Sequence, residues 1–391
     1  MEEPTEPNTQ DVAIMAVISI VNTAQFDFGV IQQLASVLER LGVSRPMLVT
    51  DKGLVRAGLD EKIKAASAGR PIVATYDETP SNPDEASVLA ALQVYKDAEC
   101  DGLVALGGGS PMDLAKAVAL LATHEGPLER FGASVRGMKL IGKVAPIVAV
   151  PTTSGTGSEV SVGAVVILTS GRKETIISPH LIPPVALCDP DLTVGLPGLL
   201  TAATGMDAVT HCIEAVLAPG VNPPLEAIGY DGVERAVAEG WLARAVADGG
   251  DRDARWHMMM ASLEGALAFA KGLGAVHALS HASGRIPGLS LHHGTLNALY
   301  LAPVLRFSEG SAPEKYTRLK RCLGVTSSAD LADTVRALNE RLGLPSGLAA
   351  LGVTTDMIPD IVKYALTDLA HFTAVRKPTA DEYHALVEAA L

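Results

Sequence analysis

Two periods alternate through the first half of the chain. Short apolar, β-rich runs fall at 46–50 (PMLVT), 71–75 (PIVAT), 102–106 (GLVAL) and 146–150 (PIVAV), and helical patterns lie between them at 28–41, 82–98 and 112–122. Strands alternating with helices predict right-handed βαβ units and a largely parallel sheet. The stretch 164–177, broken by Ser170 and Gly171, reads as a hairpin. From about Leu196 the pattern changes. Pro197 and Gly198 punctuate it, and then long Ala-rich helical stretches such as TAATGMDAVTHCIEAVL, YDGVERAVAEGWLARAV and HMMMASLEGALAFA run almost to the end. The expected architecture is an α/β domain over 1–195 followed by an all-helical domain over 196–391. The acidic, polar first eleven residues are expected to form a loose arm.

Composition narrows the partners. The 391 residues are 48% hydrophobic but only 4% aromatic, so the core is mainly Ala, Val, Leu and Ile. A formal charge of −13 repels phosphate backbones and anionic lipid, which argues against nucleic-acid or membrane partners. No apolar run approaches the ~18–20 residues that span a bilayer. MEEPTEPNTQD lacks the basic start of a signal peptide, and the four cysteines are scattered with no CxxC pair. A cytoplasmic protein is the expectation, and a homodimer its expected assembly.

Histidines then change the picture. Only 10 occur, and four of them fall between His277 and His293. Asp207 and His211 stand one helical turn apart and so project from one face, and His277 and His281 repeat that spacing. Asp207, His211, His277 and His293 offer one carboxylate and three imidazoles, a complete donor set for ferrous iron or zinc. The plainer reading of any one such histidine is a hydrogen-bonded core residue.

Three segments bear on a nucleotide. DGLVALGGGSPMDLAKAV is a strand, a glycine turn and a helix, so Gly108, Gly109 and Ser110 stand where a backbone can approach a phosphate at a helix N-terminus. It matches neither the G-x-G-x-x-G fingerprint nor a P-loop. PTTSGTGSEV supplies Thr152, Thr153, Thr156 and Ser158 around two glycines, either to wrap a pyrophosphate or ribose or simply as a polar loop. Asp51 ends a strand in LVTDKGL, where it can accept from a ribose diol and oppose a 2′-phosphate, or cap the next helix.

Taken together, these segments resemble the iron-containing (group III) alcohol dehydrogenase family. The resemblance is collinear from about Asp51 to Phe307, through VTDKGL, the SNP of TPSNPD, ALGGGSPMDLAKA, VPTTSGTGSEV, SPHLIPP, TGMDAVTHCIEA, GAVHALSHASG and HHGTLNAL. It implies a Rossmann-like dinucleotide-binding domain and an all-α metal-binding domain, the architecture shared with dehydroquinate synthase. The implied chemistry is hydride transfer between NAD(H) and a small primary alcohol or aldehyde. By the same resemblance Asp207, His211, His277 and His293 hold one divalent metal, Fe2+ before Zn2+. Asp51 meets the adenosine ribose and favours NAD, and Asn82 lies near the dinucleotide. Gly108, Gly109 and Ser110 hold its pyrophosphate. Thr152, Thr153, Thr156, Ser158 and Lys173 line the cofactor, and His281 faces the nicotinamide in the proton path. The His before Gly is the family's ligand, which selects His293 over His292.

Two departures stand out: the long ASGRIPGLSLH between His281 and His293, and TAVRKP where the family often carries Asn-Pro-Arg. Arg285 is the one charge in the first of these, so a carboxylated substrate, a hydroxyacid or semialdehyde, is the alternative to a neutral one. A zinc polyol dehydrogenase, a maleylacetate reductase-like enzyme and a non-catalytic metal- or nucleotide-binding protein are the remaining alternatives.

Overall fold

The computed structural model describes residues 22–391, so the proposed arm at 1–11 lies outside the described residues. Among the described residues there are eight strands: β1 (Thr23–Phe26), β2 (Pro46–Val49), β3 (Ala74–Tyr76), β4 (Gly102–Gly107), β5 (Ile147–Pro151), β6 (Gly163–Ile167), β7 (Lys173–Ile177) and β8 (Val185–Cys188). Six form a parallel sheet in the order β1-β8-β5-β4-β2-β3, while β6 and β7 form the expected antiparallel hairpin. The sheet's helices are α1 (Leu34–Arg40), α2 (Lys52–Arg56), α3 (Leu59–Ala66), α4 (Glu85–Asp97) and α5 (Gly109–Leu121).

The centre of this sheet is apolar on both faces. β2, β4 and β5 are buried throughout, as a parallel sheet covered on both sides requires. The chain steps from β2 outward to β3 and then returns to β4 on the other side of β2. This reversal opens a crevice beyond the carboxyl ends of β2 and β4, the place where open α/β sheets take ligands. Asp51 follows β2, Gly107–Gly109 follow β4 and Thr152–Thr156 follow β5, so all three nucleotide-like segments lie along one edge.

The second half is helical: α6 (Gly198–Leu217), α7 (Pro223–Val233), α8 (Trp241–Ala247), α9 (Arg252–Ala268), α10 (Ala275–Ser283), α11 (His293–Ser308), α12 (Pro313–Cys322), α13 (Leu331–Arg341), α14 (Ile358–Ala365), α15 (Leu369–Phe372) and α16 (Ala380–Glu388). Every residue of α6 from Thr201 to Leu217 is buried, including Asp207, His211 and Glu214. A helix apolar all round is a core helix, and α6 packs against α7, α9 and α11.

The stretch at 230–246 is not one helix. α7 runs into a π turn at Glu234–Ala238, and the chain reverses at Gly240, whose φ is +80°, before α8 begins. A glycine at that left-handed position ends a helix without a Cβ penalty.

Both halves press on the PTTSGTGSEV loop. A Cβ on Gly155 would stand 2.7 Å from the carbonyl of Thr204 in α6, and one on Gly157 would stand 2.0 Å from the Cβ of Ala266 in α9. These two glycines therefore let the loop lie against the helical half. Among the described residues no single helix is long and apolar enough to cross a membrane.

Candidate metal centre and cofactor edge

Three helices converge to place four donors. α6 carries Asp207 and His211, α10 carries His277, and α11 opens with His293. One ligand atom from each lies within 4.8 Å of the others. Asp207 Oδ1 is 3.8 Å from His211 Nε2, 4.0 Å from His277 Nε2 and 3.6 Å from His293 Nε2. Tetrahedral donors held about 2.0–2.2 Å from one ion stand roughly 3.3–3.6 Å apart. The four atoms therefore lie close to the spacing of a single divalent metal and need to draw in by a few tenths of an ångström to hold it.

Each imidazole is turned by a bond on its far nitrogen. His277 Nδ1 donates to Glu214 Oε2 at 2.6 Å, His211 Nδ1 to the Gly155 carbonyl at 3.2 Å, and His293 Nδ1 pairs with Ser280 Oγ at 2.7 Å. A proton on Nδ1 leaves a lone pair on Nε2, the tautomer a metal ligand needs. Burial first, and then the neighbouring imidazoles, hold His277 and His293 well below the usual histidine value, so both are neutral at pH 7. Burial also pushes Glu214 up to about 7, against three backbone N–H bonds that favour its charged form. Four acceptors converging with so few hydrogen donors among them is a cation site by its chemistry. Asp207, His211 and His277 are at most 5% exposed at their side chains, whereas His293 is 34% exposed. The group is thus reached from His293's side, as a catalytic metal with an open position requires.

His292 does not join it. Its Nδ1 accepts from Thr295 N at 3.3 Å and caps α11, so the cap and the candidate ligand His293 are neighbours with separate surroundings. Asn297, one turn beyond His293, was not singled out in the sequence. Its Nδ2 is 2.6 Å from Asp207 Oδ1, 3.2 Å from His277 Nε2 and 3.1 Å from His293 Nε2, and its Oδ1 is buried without a hydrogen-bond partner. The turn-spacing that paired Asp207 with His211 would have found it.

His281 lies one turn past His277, its ring stacked on His293 with centroids 5.3 Å apart. Its Nδ1 pairs with Asp368 at 3.1 and 3.2 Å. Asp368 caps the short α15, far along the chain, and no local pattern marks it.

At the sheet edge the glycine turn is packed tightly. A Cβ on Gly108 would stand 3.1 Å from Thr153 Oγ1, and one on Gly109 would stand 3.1 Å from Thr156 Cγ2. Gly108 precedes α5, whose first N–H groups face outward beside Ser110. Ser110 Oγ donates to the Ser81 carbonyl at 2.6 Å, and Thr152 N donates to the Gly107 carbonyl at 3.0 Å. Lys173 Nζ donates to Asn82 Oδ1 at 3.2 Å, bringing the hairpin to the same edge.

Asp51 caps α2, its Oδ1 accepting from Gly53 N at 2.7 Å and Leu54 N at 3.0 Å. Oδ2 makes neither bond. The capping reading and the ribose reading are therefore compatible.

Ser158 stands apart from the other hydroxyls. Its Oγ donates to Asp113 Oδ1 at 2.8 Å and accepts from Lys116 Nζ at 2.9 Å, in the interior. Both interactions are committed, so its hydroxyl supports the loop from beneath instead of offering a donor to a nucleotide. Lys116 also donates to the carbonyls of Ser161 and Gly163 at 3.0 and 2.8 Å. Burial lowers its ammonium to about 8.

Comparison with known proteins agrees with this arrangement along the whole chain. Residues 7–190 match the iron-containing alcohol dehydrogenase family, and residues 201–391 match the C-terminal part of the Fe-containing alcohol dehydrogenase family. The chain belongs to the iron-containing alcohol dehydrogenase family. A 4-hydroxybutyrate dehydrogenase of Cupriavidus necator is 50% identical over 386 residues, covering 96% of this chain and 99% of that protein. Among solved structures, a 1,3-propanediol oxidoreductase superposes with a TM-score of 0.91 at 33% identity, covering 96% of this chain and 100% of the other. A sulfoacetaldehyde reductase from Bifidobacterium kashiwanohense, in complex with NAD+, gives 0.87 at 27% identity, covering 97% and 99%. This dehydrogenase thus has the expected α/β half and helical half, and it is a metal-dependent oxidoreductase of the kind its relatives represent.

Proposed function

We propose that the enzyme moves a hydride between NAD(H) and a primary alcohol or its aldehyde, with one ferrous ion held by Asp207, His211, His277 and His293. Zinc suits the same donors. The observation that carries this reading is the convergence of those four side chains beside the edge that presents Gly108, Gly109, Ser110, Thr152, Thr153 and Thr156. When bound, the metal supplies Lewis-acid polarisation of the substrate oxygen and the nicotinamide supplies the hydride chemistry.

The chain's own residues do the rest. Glu214, Ser280 and the Gly155 carbonyl hold three imidazoles in the ligating tautomer. Asp368 accepts from His281 Nδ1, which leaves His281 Nε2 free to take the alcohol's proton or return it. Lys173 and Asn82 border the cofactor from the hairpin side, and Asp51 meets the adenosine ribose.

The substrate of the 50%-identical relative, 4-hydroxybutyrate, is itself a primary alcohol. That relationship supports the carboxylated alternative weighed for Arg285 over a neutral substrate. We further place the division between the halves at residues 195 and 196. The free cysteines support a cytoplasmic setting, and a homodimer is the proposed assembly.

The test is anaerobic purification with metal analysis, followed by NADH oxidation with 4-oxobutanoate and with butanal, before and after chelation. One divalent ion per chain and chelator-sensitive turnover support the reading. Turnover that survives complete metal removal refutes it, and so does a protein that binds NADH and reduces neither aldehyde.

A further inference from the structure

The stretch 282–292, read in the sequence as a departure from the family pattern, carries Arg285, and the structure shows where that charge goes. Arg285 follows α10, the helix that carries His277 and His281. Its Nη2 is 3.9 Å from Asp368 Oδ2, beyond hydrogen-bond reach, and its Cζ lies 5.3 Å from the centroid of the Tyr364 ring. Its Nε is buried and has no hydrogen-bond partner. Asp368 is the guanidinium's ion-pair neighbour at 3.9 Å, while the same carboxylate accepts from His281 Nδ1 and from Ala370 N, the latter at 2.9 Å.

A second cation stands close by. Lys173 Nζ lies 3.5 Å from where a Cβ on Gly284 would be. Burial first, and then the charge of Arg285, lower the Lys173 ammonium from its ordinary value, which is the signature of two cations sharing one neighbourhood. Asp113 and Asp368 act on it in the opposite sense; their hydrogen bonds go to Ser158 and Val165 N, and to His281, and not to Lys173 or Arg285. The guanidinium thus has an unpartnered Nε and only a loose ion pair at Nη2, beside a second cation and on the same carboxylate as His281. A planar guanidinium is the side chain best shaped to take a carboxylate on two donors at once.

We propose that Arg285 is the receptor for a substrate carboxylate and selects ω-hydroxy acids and their semialdehydes over neutral alcohols of the same length. This rests on the dehydrogenase reading above and adds to it the residue that sets substrate class. The carboxylate gives the guanidinium a closer partner than Asp368 at 3.9 Å, while the hydroxyl end of the same short chain reaches the metal ligands past His281. A rival acceptor is a phosphate of the dinucleotide, and the experiment separates the two.

The test compares wild type with Arg285→Gln and Arg285→Lys, each loaded with Fe2+. The aldehydes are 4-oxobutanoate and butanal, and the readout is the ratio of their kcat/KM values. In wild type the ratio favours the acid. In Arg285→Gln it falls roughly 30- to 100-fold, the size expected for losing charge-assisted hydrogen bonds. Arg285→Lys restores part of it. A binding measurement needs no turnover: with NADH bound, 4-hydroxybutanoate and neutral butane-1,4-diol are titrated against cofactor fluorescence. Wild type prefers the acid, and Arg285→Gln loses the preference while its melting temperature and metal content stay those of a folded protein.

A wild-type enzyme that treats both aldehydes alike overturns the inference while leaving the dehydrogenase reading intact. So does an Arg285→Gln variant that keeps the acid preference, or one whose only change is a raised KM for NADH, which would assign the guanidinium to the cofactor phosphate. Absence of turnover on both aldehydes refutes the dehydrogenase reading instead, and the titration then decides Arg285 alone.

Discussion

Glu214 and His277 are joined through a carboxylate oxygen 2.6 Å from Nδ1, and the same carboxylate accepts from the backbone of Val276 at 2.8 Å. Glu214 is on α6 and His277 on α10, so this one side chain ties together two helices that contribute ligands. Carboxylates behind ligating histidines typically alter metal affinity by about 10- to 100-fold when removed. Glu214→Gln keeps the shape and removes the charge. It is expected to weaken metal binding by that factor in anaerobic competition against a calibrated chelator. Unchanged affinity would show that α10 is held without it.

His277→Ala goes further and removes a proposed ligand. Metal content and turnover are expected to fall together, as measured by metal analysis of the purified variant beside its rate of NADH oxidation. Full metal at full rate would mean the ion sits elsewhere.

His281→Ala should separate those two properties. The four ligands remain, so the metal stays, while loss of the proton-carrying group lowers kcat by about 100-fold or more. Metal loss from this variant would place His281 among the ligands and reopen the role of His293.

The cofactor preference can be probed without disturbing the fold. Asp51 caps α2, and Asn caps a helix about as well as Asp. Asp51→Asn therefore removes the charge proposed to oppose a 2′-phosphate while keeping the cap. The ratio of kcat/KM for NADPH to that for NADH is expected to rise, with the melting temperature unchanged. A wild type that already prefers NADPH would contradict the ribose assignment.

Lys116→Met is a stability prediction. The buried ammonium lies among Ser158, Ser161 and Gly163, with Asp113 and Glu159 as its nearest charges. Removing it strands buried carboxylates, a change that costs about 3–5 kcal/mol in comparable sites. The urea midpoint should drop accordingly, and a drop under ~1 kcal/mol would mean those carboxylates are protonated in the folded protein.

Most of the chemistry was legible in the sequence because it rests on local spacing. One-turn pairs fix Asp207 with His211 and His277 with His281, and a glycine turn between a strand and a helix is a contiguous signal. What escaped is long-range or weakly patterned. β1 is the edge strand TAQF, half polar, and gains its structure only by pairing with β8. The register of the sheet follows from packing, not from any run of residues. Asp368 reaches His281 across a large sequence separation, whereas Glu214 and Asn297 were within reach of the spacing rule that found their neighbours. Ser158 shows the opposite limit: its motif position suggested a hydroxyl for the nucleotide, but the burial of Lys116 beneath the loop turned it inward.

The bond from His211 Nδ1 to the Gly155 carbonyl crosses from the helical half to the loop at the sheet edge. In the function proposed above, the loop that borders the nucleotide is also a latch on His211: prising the two lobes apart would free the ring to rotate and its tautomer to change. Loosening of one of the four donors would then follow lobe opening, so the rate at which a chelator strips the ion would be in part a clock for how often the lobes part. A dinucleotide that bridges them would slow that clock from a distance, without touching the ion at all.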